Sequence, residues 1–197
     1  MSKLNFKEGA MNAGKSTMLI KNAYNYTEQG LHIVTMKPSV DTKGDRLIVA
    51  RDGGEWGVDV LATPAMDLEQ EVESFLARQA FEMLNCVLVD EAQFLEPIQI
   101  DQLHRVAKIG GISVIAYGLK TDFQTKLFPA SQRLLELADN IDNIQTMCRC
   151  GSQAHFNCRK LNGKYVFIGE QVAIDGQDGF SYDSLCGTCY LNEKAAA

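Results

Sequence analysis

One stretch near the N-terminus, Glu8-Gly9-Ala10-Met11-Asn12-Ala13-Gly14-Lys15-Ser16-Thr17, constrains the fold of this chain more than any other. It fits the pattern G-x-x-x-x-G-K-[ST], with Gly9, Gly14, Lys15 and Ser16 in the four fixed places. Leu4 to Lys7 before it reads as a short strand. Met18 to Tyr26 after it reads as a helix with Leu19, Ala23 and Tyr26 on one face. Strand, glycine loop and helix in that order is the context the pattern requires. The glycines let successive backbone N–H groups curl around a phosphate, and the helix start adds its positive dipole end. Gly9, Ala10, Met11, Asn12, Ala13, Gly14, Lys15, Ser16 and Thr17 are therefore the candidate phosphate-binding residues. Lys15 would reach the β- and γ-phosphates of a nucleotide, and the Ser16 hydroxyl would sit on Mg²⁺.

Downstream, strand and helix patterns alternate. Gly30 ends the first helix, and Leu31 to Met36 is an apolar, β-branched strand. Lys37 to Val58 holds four glycines and many charges and reads as a long surface loop with a short hairpin around Leu47 to Arg51. A helix follows with Leu68, Val72, Phe75, Leu76, Ala80 and Met83 at helical spacing, opened either by Thr63-Pro64 or by Asp67 with Gln70. Cys86 to Val89 is a continuous apolar strand, Pro97 opens another helix, and Ile112 to Tyr117 and Ile141 to Thr146 are further strands around a helix at Ser131 to Ala138. This alternation predicts an α/β fold, a mostly parallel sheet with helices on both faces, like that of the phosphate-loop nucleoside triphosphatases (P-loop NTPase-like). At Cys148 the periodicity weakens and a second, smaller lobe begins, so the expected division is 1–147, 148–192 and a frayed tail over 193–197.

Val87-Leu88-Val89-Asp90-Glu91 is an apolar strand that ends in two acids, the shape of a Walker-B element. In a parallel sheet it would emerge on the same edge as the glycine loop. Asp90 would hold Mg²⁺ together with Ser16, leaving Glu91 free as a general base near the γ-phosphate. The N-K-x-D element of guanine-nucleotide switches is absent from the sequence.

Five of the six cysteines, at positions 148, 150, 158, 186 and 189, lie in the last 50 residues. Cys148-x-Cys150 and Cys186-x-x-Cys189 supply four thiolates, enough for a closed tetrahedral zinc site that anchors both ends of the intervening segment. Such a site is structural. Cys158, which has no partner at close spacing, and His155, which lies near the first cysteine pair, are competitors for a ligand place. A net charge of −6, from 19 Lys+Arg and 25 Asp+Glu, argues against nucleic acid as a main partner. The sequence shows neither a membrane-length apolar run nor a signal-peptide core, and a cytoplasmic location is expected.

The order G-A-M-N-A-G-K-S-T, then V-D-E-A-Q-F, then C-x-C with C-x-x-C-Y resembles the compact, zinc-containing (type II) thymidine kinases, from about Leu4 to Tyr190. The resemblance implies transfer of the γ-phosphate of ATP to the 5′-hydroxyl of thymidine, giving thymidine monophosphate for DNA synthesis by nucleotide salvage. It implies Glu91 as catalytic base, and Gln93 beside Asp90 at the ATP phosphates. Met11, Phe94, Leu119, Phe123, Phe128 and Asn157 would line the nucleoside pocket, with Val172, Ile174, Asp175, Gly176 and Tyr182 on a lasso that closes over the base. ATP, Mg²⁺ and a structural Zn²⁺, a homotetramer and feedback by thymidine triphosphate belong to the same expectation. The chain departs from the family at Asp175, where Gly-Gly is common, in the length of Ile174 to Tyr182, at Asn157, where threonine is common, and at Lys43, where arginine is common. A kinase for another pyrimidine nucleoside, or an ATP-gated module whose zinc lobe binds a partner, would share most of these motifs.

Overall fold

A computed structural model describes residues 2–79, 81–171 and 179–197. The elements run β1 (Leu4–Glu8), α1 (Lys15–Glu28), β2 (Ile33–Pro38), β3 (Leu47–Val49), β4 (Glu55–Gly57), β5 (Val60–Ala62), α2 (Leu68–Gln79), β6 (Cys86–Val89) and α3 (Pro97–Lys108). They continue with β7 (Ser113–Gly118), α4 (Pro129–Leu137), β8 (Asn140–Asn143), β9 (Thr146–Met147), β10 (Gln153–Ala154), β11 (Phe156–Leu161), β12 (Lys164–Val166), β13 (Phe180–Leu185) and α5 (Gly187–Ala196).

Six strands form one sheet in the order β5-β2-β6-β7-β1-β8, and each neighbouring pair is parallel. The apolar run Cys86–Val89 is buried at all four positions, as a central strand covered on both faces must be. Its alternate residues divide between two cores. Val87 and Val89 pack with Leu68, Val72 and Phe75 of α2, Ile100 and Leu103 of α3, and Leu134 of α4. Cys86 and Leu88 face the other way, toward Leu19, Ile20 and Ala23 of α1 and Ile48 of the β3–β4 hairpin. Helices α2 to α4 thus cover one face, and α1 with the hairpin covers the other.

Local chemistry sets most boundaries. Asp67 Oδ1 accepts from the N–H groups of Glu69 and Gln70 at 3.0 and 3.1 Å, so it opens α2. Thr63-Pro64 forms a turn instead, closed by Met66 N–H to Thr63 O. The helix is described as far as Gln79, Ala80 lies outside the described residues, and Met83, expected on its inner face, is exposed. Helix α3 starts with Pro97 behind a reciprocal cap, Glu96 N–H donating to Gln99 Oε1 at 3.0 Å. Strand β8 is shorter than the Ile141–Thr146 expected, and Ile141 is exposed, because it lies at the sheet edge.

After β8 a short β9–β10 hairpin leads into an antiparallel sheet ordered β12-β11-β13. Helix α5 continues to Ala196, so 193–196 of the expected tail are helical. Among the described residues no helix is long and apolar enough to cross a membrane.

Candidate active site

All six strands of the main sheet run the same way, so their carboxyl ends share one edge. The glycine loop after β1 and Asp90-Glu91 after β6 both emerge there. Strand β7 lies between β6 and β1, which spaces the acidic pair one strand away from the loop. One close approach and one backbone dihedral fix the loop's glycines. A Cβ on Gly9 would lie 2.6 Å from the Ile144 carbonyl oxygen, and Gly14 holds φ +80° at the first turn of α1.

Lys15 is buried, and its Nζ donates to the Gly9 and Ala10 carbonyls at 3.0 Å each. Burial lowers its pKa, opposed by the charges of Glu91, Asp90 and Glu8. Ser16 Oγ donates to Asp90 Oδ2 at 3.1 Å, which brings together the two residues expected at Mg²⁺. Burial, and then the neighbouring Glu91, push the Asp90 carboxyl up from the usual range. Its Oδ1 is buried with no hydrogen-bond partner among the described residues. An orphaned carboxylate oxygen beside a serine hydroxyl fits a hard divalent cation, which takes oxygen ligands and offsets the burial cost.

Glu91 adopts φ 47°, the left-handed region, and starts a single 3-10 turn over Ala92–Phe94. A non-glycine residue held there is strained, a condition common at working sites. Gln93 holds it in place: Nε2 donates to Glu91 Oε2 at 2.5 Å, while Oε1 accepts from the Leu119 N–H at 3.0 Å. The Gln93 side chain thereby links Glu91 to the loop after β7, and it lines the same cavity as Lys15 and Ser16.

A cavity of about 860 Å³ opens between these elements, within the size range of small-molecule sites. Its lining brings together Lys15, Ser16 and Thr17, the apolar and aromatic Phe94, Leu119, Phe128 and Tyr182, and Glu91 and Met11. Phe94 meets Phe128 edge to face, ring centroids 5.7 Å apart. Phe123 and Asn157, expected to line the pocket, are not among the residues that line this cavity. Phe123 is buried under the Arg159 guanidinium, 3.7 Å from the ring centroid, and both ends of the Asn157 amide are taken up by backbone partners. Val172, Ile174, Asp175 and Gly176 lie outside the described residues.

A third side of the cavity escaped the motif reading. Asp41, Lys43, Arg51 and Asp52 come from the loop and hairpin that follow β2. Lys37, fully buried, ties that loop down by donating to the Lys43 and Leu47 carbonyls at 2.7 and 3.2 Å and by pairing with Asp41 at 3.2 Å. Arg159 was also missed. It donates through Nε to the Tyr182 hydroxyl at 2.8 Å and through its other nitrogens to the Glu170 and Gln171 carbonyls. Its signal in the sequence was faint: one arginine inside the otherwise ordinary strand Phe156–Leu161.

The sulfur atoms of Cys148, Cys150, Cys186 and Cys189 all lie within 4.8 Å of one another. Four thiolates about 2.3 Å from one tetrahedral zinc sit about 3.8 Å apart, so the donor set and spacing fit that ion. Cys158 and His155 are not part of the group; Cys158 is fully buried in the small core beside it. The β9–β10 hairpin presents the first pair, with the turn closed by Gly151 N–H to Cys148 O at 2.9 Å. The second pair lies on the first turn of α5, where Cys186 is the N-cap.

The thymidine kinase family profile matches residues 2–190. A thymidine kinase of Rhizobium etli is 40% identical over 198 residues, spanning 100% of this chain and 97% of its own. One from Rhizobium meliloti is 43% identical over 190 residues, 94% of each chain, and one from Legionella pneumophila is 40% identical over 98% of this chain and 90% of its own. Among solved structures, the Pif1 helicase of Candida albicans aligns with 73% of this chain and 36% of its own at 14% identity and a TM-score of 0.43, a likeness too slight to bear on function. With the family profile matching residues 2–190 and these relatives 40–43% identical over nearly the whole chain, the chain belongs to the thymidine kinase family.

Proposed function

We propose that this chain transfers the γ-phosphate of ATP to the 5′-hydroxyl of thymidine. The observation that carries this is that one cavity is lined by Lys15 to Thr17, by Glu91, and by an apolar and aromatic set, Phe94, Leu119, Phe128 and Tyr182. Backbone N–H groups of residues 9–16 and the Lys15 ammonium would hold the donor phosphates. Ser16 and Asp90 would hold Mg²⁺, which when bound neutralises charge on the phosphate oxygens. Glu91, fixed by Gln93, accepts the proton of the acceptor hydroxyl as that oxygen attacks phosphorus in line. Positioning and charge neutralisation supply most of the rate. The apolar and aromatic set packs on the nucleoside and keeps water from competing for the phosphoryl group.

Zinc on the four cysteines is a structural part of the same proposal, closing a lobe over 148–192 against a nucleotide-binding part over 1–147. Tetrameric assembly and inhibition by thymidine triphosphate come with it through the family resemblance. The experiment is ADP release from purified protein and MgATP against a panel of nucleosides. Thymidine-dependent ADP release with matching thymidine monophosphate is the expected result. Release indifferent to nucleoside would point to an ATP-gated module, and preference for a different pyrimidine nucleoside would reassign the acceptor.

A further inference from the structure

The tip of the phosphate loop is held from outside itself. Within the loop, the turn from Ala10 to Ala13 is closed by one long bond, Ala13 N–H to Ala10 O at 3.3 Å. Asn12 sits at φ 66°, in the left-handed region that an ordinary residue occupies at a cost. Between them lies Met11, and both of its peptide groups are taken by the C-terminal lobe. Its N–H donates to Asn157 Oδ1 at 2.8 Å, and its carbonyl accepts from the Ser184 hydroxyl. Asn157 and Ser184 are direct partners across the antiparallel β11–β13 ladder, so two neighbouring side chains grip one residue of the loop from both sides. The Asn157 amide then continues through Nδ2 to the Thr121 carbonyl at 2.9 Å, on the loop that follows β7. Asn157 is buried, and its carboxamide spans both partners.

We propose that Asn157 and Ser184 are positioning residues for the phosphate loop. Nucleotide affinity is then set in part by side chains of the C-terminal lobe that touch no nucleotide. This rests on the nucleotide-binding role given above to residues 9–17. Asn12 stays in its strained conformation, and the loop N–H groups stay aimed at one point, because Met11 is pinned on both sides. Through Thr121 the same asparagine ties the donor loop to the segment that carries Leu119 on the apolar wall.

The test is calorimetric titration of MgADP and MgATP into wild type, Ser184→Ala, Asn157→Ala, the double variant and Ser184→Thr, with thermal unfolding alongside. Ser184→Ala and Asn157→Ala should each weaken nucleotide binding about 2- to 12-fold, the range for loss of one net hydrogen bond. The double variant should lose less than the product of the two, since both act through Met11. Ser184→Thr, which keeps the hydroxyl, should stay within about twofold of wild type, restoring affinity as a lost-packing effect would not. Wild-type affinity in both alanine variants, with only the unfolding midpoint lowered, would overturn the proposal while leaving the nucleotide site standing. A wild-type protein that bound neither nucleotide would overturn the role of residues 9–17, and the clamp with it.

Discussion

Gly118→Ala should cripple turnover although Gly118 does not line the cavity. A Cβ at this position would lie 2.8 Å from Gln93 Oε1, 3.2 Å from the Gln93 backbone nitrogen and 3.5 Å from that of Ala92. Gly118 is not among the positive-φ glycines, so the effect is steric and carries no dihedral strain. The end of a flexible side chain could ordinarily step aside. Here it is pinned at both ends, Nε2 to Glu91 at 2.5 Å and Oε1 to Leu119 N–H at 3.0 Å. Moving it gives up a hydrogen bond to a charged group, about 1.5–3 kcal/mol, and leaves a buried N–H unpaired, about 1–3 kcal/mol. If the first loss falls on the placement of Glu91, kcat drops about 10- to 150-fold, since about 1.4 kcal/mol is a factor of ten. The second appears as lost stability. The assay is coupled ADP release at saturating MgATP and thymidine, run also in a Gln93→Ala background. There the alanine at 118 has no amide to strike and should change kcat less than about threefold. A Gly118→Ala enzyme within about twofold of wild type, or an equal loss in both backgrounds, would refute the reasoning.

Two further outcomes follow from other parts of the molecule. Acid-denatured protein should release about one zinc per chain, and Cys186→Ser should lower both the zinc content and the unfolding midpoint, because a structural site contributes directly to folding; atomic absorption reading near zero in wild type would remove the anchor of the C-terminal lobe. Asp139 accepts from Lys108 at 2.5 Å and from the Leu4 N–H at 2.8 Å, and these bonds hold its carboxyl below the ordinary value of 3.8. A lowered folded pKa stabilises fully above the unfolded value and is lost as pH falls through the folded one. Asp139→Asn should therefore cost about 1 kcal/mol at pH 7 in urea unfolding and little once both forms are neutral in strong acid; a cost that does not change with pH would show that charge plays no part.

The main chemistry was legible because it depends on short, local patterns. Gly9 to Ser16, Asp90-Glu91 and the two cysteine pairs each need particular residue types at fixed spacing, and the structure brings Ser16 onto Asp90 and the four sulfurs together. The sheet was legible from apolar strands such as Cys86–Val89, where burial on both faces removes any polar alternation. Strand β5 was missed because Val60–Ala62 is only three residues long, and its pairing with β2 comes from the tertiary fold. Longer-range roles were hidden for a similar reason. Nothing local marks Lys37 as the anchor of the loop bearing Asp41 and Lys43, or Arg159 as the prop beneath Tyr182. Asn157 and Phe123 are expected on the pocket wall by resemblance alone; both are buried, and neither is among the residues that line the cavity.

The central claim is that Glu91 takes the acceptor's proton between two bound substrates. Its most direct measurement is the thymidine-dependent rate of phosphate transfer by Glu91→Gln, a near-isosteric change that keeps a hydrogen-bonding partner for Gln93. MgATP affinity should stay within a few-fold of wild type while the rate falls about 10²- to 10⁴-fold, the usual contribution of general base catalysis. A variant that binds MgATP and still phosphorylates thymidine at a near wild-type rate would contradict that claim.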